Sequence, residues 1–195
     1  MRLVDRVQPE PPYASGRYHA FETEGNIGNG SAAAAGTLRL APYSVRRSVV
    51  AASLLVRVST AAASGNFQLL VYDSDPATND PTGAPIYQSA SQSTASVASI
   101  EITGVNLTLN PGKVYWIGAQ VDNATAAFTA QSTTNSFQTR LAGQTTMANA
   151  VSTSQITCMT KAGTFNSPPT LTGNRTTDSF TETNNAAPYV AFKAA

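Results

Sequence analysis

The chain has 195 residues and a net charge of +1, enough length for one domain with its own hydrophobic core. Charged residues make up 12% of the sequence, about half the usual share, and Ser, Thr, Asn, Ala and Gly fill the gap. Nothing in this balance favours a nucleic-acid binder, which needs clustered basic charge; a single Cys excludes an intrachain disulfide, and with a single His no zinc cluster is expected; no run approaches the ~20 apolar residues of a membrane helix.

In chain order, residues 1–16 differ from the rest. "RLVDRV" alternates charged and aliphatic residues, and "QPEPPYASG" carries three prolines, which rule out a helix. An extended arm is predicted, with Leu3, Val4, Val7 and Tyr13 as its docking residues. "GNIGNGSAAAAG" (25–36) reads as a Gly/Ala-rich loop, so the predicted boundary separates an arm and loop (1–36) from a folded domain (37–195). The N-terminus lacks the apolar core of a signal peptide, so synthesis in the cytoplasm is expected.

From Thr37 onward the pattern has a period of two. "VVAASLLVRVST" places Leu54, Val56 and Val58 on one face, and "GNFQLLVYDSD" places Phe67, Leu69 and Val71 on one face and Gln68, Leu70 and Tyr72 on the other. "APIYQSAS", "ASIEITGVNLTL", "KVYWIGAQV", "AAFTAQST", "SQITCMTK" and "PYVAFKAA" follow, separated by Gly, Pro, Asn, Asp and Ser clusters; "QTTMANAVS" (144–152) is predicted to form one helical turn. Short strands with frequent turn signals predict an all-β fold, an antiparallel two-sheet β-sandwich. Arg46-Arg47 is the densest basic pair; on a strand its side chains point to opposite faces, which makes no patch.

Catalytic chemistry is sparse. His19 is the only histidine, no G-x-S-x-G or phosphate-binding glycine motif is present, and a structural role is expected for the imidazole. No enzymatic activity is predicted. The one acidic cluster is Asp73, Asp75 and Asp80 in "YDSDPATND". Carboxylates at i and i+2 in a loop suit calcium, whereas Asp and Asn at a strand exit also cap turns, and turn capping is the favoured reading. Trp116, Tyr72 and Tyr87 are candidate contacts for a glycan or a neighbouring subunit, because such rings offer an apolar face and a polar tip. In "KVYWIGAQV", Tyr115, Ile117, Ala119 and Val121 form the more apolar face, which puts Trp116 on the opposite one. It is therefore expected under the arm, under a long loop or against another chain.

The segment order "GRYHAF", "LRLAPYSV", "VSTAAASGNFQLLVYDSD", "PTGAPIYQSAS", "LTLNPGKVYWIGAQV" and "APYVAFKAA" resembles a jelly-roll-like β-sandwich domain of tail-fibre and other virion proteins of tailed bacteriophages. The resemblance covers roughly residues 17–195 and carries no catalytic signature. It implies a virion component (fibre, spike, adaptor or head decoration) that joins other virion proteins and forms a homo-oligomer, with a trimer suiting a fibre or spike. A carbohydrate-binding module for host surface glycans is the alternative.

Overall fold

The computed structural model describes residues 12–21, 27–32, 34–131, 158–183 and 187–195. These residues form fourteen strands and no helix: β1 (Tyr18–Ala20), β2 (Ile27–Asn29), β3 (Leu38–Tyr43), β4 (Val49–Thr60), β5 (Asn66–Ser74), β6 (Pro81–Gln88), β7 (Gln92–Ser93), β8 (Ser99–Leu109), β9 (Tyr115–Val121), β10 (Ala127–Gln131), β11 (Cys158–Lys161), β12 (Leu171–Thr172), β13 (Thr181–Thr183) and β14 (Ala191–Ala194).

They pair into two antiparallel sheets. In the first, β4 is central: Leu54 pairs with Ile102 of β8 on one side and Phe192 of β14 on the other, and the order continues through β1, β10 and β2. In the second, the order is β12-β6-β5-β9-β3-β11-β13, with β7 also on β5. The predicted two-sheet antiparallel fold is the observed one. The period-two faces also hold. Leu54, Val56 and Val58 of β4 meet Phe67, Leu69 and Val71 of β5 and Tyr115, Ile117, Ala119 and Val121 of β9 in the core between the sheets.

The predicted boundary at residue 36 is corrected. β1 pairs with β14, and β2 pairs with β10, so Tyr18–Ala20 and Ile27–Asn29 contribute edge strands to the first sheet. Three-residue strands are too short to show a period in sequence and are fixed by a partner far along the chain. Leu3, Val4 and Val7 of the arm and the helical turn at 144–152 lie outside the described residues.

The centre of the second sheet, β5 and β9, is buried on both faces. All seven residues of β9 are buried, as are six consecutive positions of β5, Phe67 to Tyr72. On the side away from the main core, Leu38, Leu40, Leu70, Tyr72, Val114 and Trp116 pack with Met159 and Leu171, and Phe180 covers them in part, in a second core. The chain between β11 and β13 thus supplies a third layer.

Gly118 sits at the centre of this arrangement, paired with Leu40 of β3 on one side and Leu70 of β5 on the other. A Cβ there would overlap the Arg39 carbonyl, a backbone group held in the ladder. Gly118→Ala is therefore expected to destabilise the fold by about 2 kcal/mol or more, through overpacking. Urea unfolding measures this, and an unchanged midpoint would remove the steric account.

Candidate functional site

Trp116 is 1% exposed and Tyr72 is 0% exposed, both inside the second core. The indole Nε1 donates to the Asn79 carbonyl at 2.7 Å, and the Tyr72 hydroxyl donates to the Pro169 carbonyl at 3.0 Å. The assignment of these rings to a glycan or another subunit is corrected: the chain itself covers both. Of the three places foreseen for Trp116, the long loop is the observed one. Burial pushes the Tyr72 phenol well above its ordinary range. Tyr87, on β6, is half-buried against the main core, and burial raises its phenol as well.

The acidic cluster does not converge, and among the described residues no three His, Cys, Asp or Glu side chains form a metal-holding group. The calcium assignment is corrected by what each carboxylate holds. Asp73 receives the Lys113 ammonium at 2.5 Å and the Ser74 amide at 2.9 Å. Asp75 accepts the amides of Ala77 and Thr78 at 2.8 and 3.2 Å, which makes it a turn cap. Asp80, 5% exposed, accepts the Arg175 amide at 2.9 Å and the guanidinium Nε at 2.7 Å, with Nη2 also bonded. Arg175 Nη1 reaches Glu182 at 2.7 Å.

This Asp80–Arg175–Glu182 group was missed in the sequence, because its members stand 95 and 7 positions apart. Burial alone would lower the Arg175 pKa; the two carboxylates outweigh it and raise the group above its ordinary value. Thr78 Oγ1 adds a bond to the Gly173 carbonyl at 2.8 Å, and Asp178 accepts the Thr172 amide at 2.9 Å. The Asp80–Arg175 and Thr78–Gly173 bonds fasten the third layer to the loop after β5.

The remaining candidates are spread over the first sheet. Tyr13 is half-buried, edge-on to Phe192 at 5.2 Å and to His19 at 5.0 Å, and its hydroxyl accepts the Arg46 amide at 3.1 Å. Its assignment to an arm reaching a partner is corrected, since this ring belongs to the sandwich. His19 lies against Phe192 at 5.7 Å and bonds the Ala14 carbonyl at 3.1 Å, a structural placement. Tyr18 is 53% exposed and donates to Glu101 at 2.8 Å. The Ser53 hydroxyl, at 2.6 Å, and that of Tyr18 hold the Glu101 carboxyl below its usual range.

Arg46 and Arg47 lie in a bend between β3 and β4 rather than on a strand. Both line one pocket of about 570 Å³, together with Tyr13, Val50, Pro111 and Ala194. The reading that put them on opposite faces is therefore also corrected.

Two outcomes test this chemistry. Arg175→Met strands two buried carboxylates and should cost about 3–5 kcal/mol, read by urea unfolding through Trp116 emission; replacing Arg175, Asp80 and Glu182 together by apolar residues should recover most of the loss. An equal loss in both would show that the pairing contributes little. For Asp122, burial pushes the pKa up, but the backbone and side-chain amides of Asn66 outweigh it and hold the carboxyl below its usual range. A depressed folded value means stability that is full above the ordinary carboxylate pKa and lost as pH falls through the folded one. Asp122→Asn should flatten the fall in urea midpoint between about pH 5 and about pH 2, and a parallel curve would refute the assignment.

Comparison with protein-family models, with curated proteins and with solved structures finds no match to this chain.

Proposed function

We propose that the chain is a non-enzymatic structural protein of a bacteriophage virion, a fibre, spike, adaptor or decoration component that displays a β-sandwich and acts as an oligomer. One observation carries the non-enzymatic part of the reading. All seven carboxylate side chains among the described residues, Asp73, Asp75, Asp80, Glu101, Asp122, Asp178 and Glu182, accept hydrogen bonds from the chain itself. Acid–base catalysis needs carboxyls facing a substrate, and glycoside cleavage needs two of them across a cleft. Here the acids are engaged in holding turns, strands and the third layer. The charge-poor, hydroxyl-rich composition suits a protein whose partners are other proteins of an assembly.

The glycan-binding alternative loses two of its three aromatic candidates to the second core and keeps only Tyr87 in a half-buried position. The docking role stays with residues 1–11, because Tyr13 is engaged in the sandwich.

Deleting residues 1–11, with Pro12 and Tyr13 kept, should leave unfolding within about 0.5 kcal/mol of the full chain but remove the protein from purified particles. Mass spectrometry of the particles reads this out. Absence of the full-length chain from them would sink the virion reading; normal incorporation of the truncated chain would sink only the arm.

A further inference from the structure

Arg47 is the starting point. It is half-buried, and among the described residues no hydrogen bond or ion pair joins its guanidinium to the protein. The other partly buried arginines are engaged: Arg39 donates to the carbonyls of Ser31 and Ala32, and Arg175 to two carboxylates. A guanidinium has five donors, no acceptor and no accessible neutral form, which makes it a ready partner for an oxyanion.

The pocket around it explains where a partner fits. Its volume of about 570 Å³ lies within the range of small-molecule sites, ~300–1,000 Å³. Its walls carry two arginines against one negative group, the carboxylate of Ala195, and Val50, Pro111 and Ala194 supply apolar surface. The walls are fixed in place. The Tyr13 hydroxyl holds the Arg46 amide at 3.1 Å, and the Ala195 amide bonds the Val50 carbonyl at 2.9 Å.

We infer that this pocket binds an oxyanion, carboxylate or phosphate, carried on a small organic body such as an acidic sugar. Arg47 is the fork-shaped partner of the oxyanion, and the apolar wall packs against the body. The inference needs only the pocket and is independent of the virion reading.

The test is an NMR titration of the isotope-labelled full chain with glucuronate, glucose 6-phosphate and glucose, at about 20 mM and about 200 mM salt. Saturable shifts at residues 46–50 with either anion, weaker at high salt and absent with glucose, are expected; the tighter anion identifies the ligand source. Arg47→Gln should weaken binding at least about tenfold, while Arg57→Gln, an exposed arginine on β4, should leave it unchanged. Saturable binding of glucose at equal strength, no saturation with either anion, or full affinity in Arg47→Gln would overturn the inference. So would anion binding that appears only after residues 1–11 are removed, because the chain's own Asp5 or Glu10 would then be the occupant.

Discussion

The burial of β5 and β9, at the centre of the second sheet, on both faces is the constraint on which the rest of the structure depends. A half-buried antiparallel sheet alternates apolar and polar residues, and the first sheet does so along β4 and β8. The second cannot expose either side of β5 or β9, because Leu70, Tyr72, Val114 and Trp116 occupy the positions where solvent-facing residues would otherwise stand. The chain meets that demand by crossing from β11 to β12 and back to β13, which stand at opposite ends of the sheet. Large rings carry much of the gain, since each buries an area no aliphatic side chain matches.

Covering those rings brings polar groups into the same layer, and each has an answer. The Trp116 indole and Tyr72 hydroxyl find backbone carbonyls. Arg175 enters between Asp80 and Glu182, all with side chains at most 12% exposed. Such a group adds little net stability over a well-packed apolar replacement, but leaving one member unpaired is costly. It joins the loop after β5 to the Arg175 segment and to β13. The acids that looked like a metal site are thus divided among a lysine, a turn and an arginine.

Much of the fold was legible. Period two is a local signal, and in β4, β5 and β9 it assigned the core faces residue by residue. It also placed Trp116 opposite the main core. Three-residue strands such as β1, β2 and β13 were illegible, because no period exists over three residues and their pairing is set at long range. The candidate site was less legible. Asp73, Asp75 and Asp80 lie within eight positions in sequence, but their side chains diverge, because β5 ends at Ser74 and the turn after it redirects Asp75 and Asp80. Arg46 and Arg47 show the converse, since the bend that holds them turns both toward one pocket.

The sequence by itself determined the all-β class, the strand faces and the sparsity of catalytic groups, since alternation and composition act over a few residues or over the whole chain. Only the tertiary structure decided what covers Trp116, which cation holds Asp80, and that Tyr13 belongs to the sandwich. Each of these is a contact between residues tens of positions apart, where the hydrophobic cost of an exposed ring or the desolvation cost of an unpaired charge selects the partner.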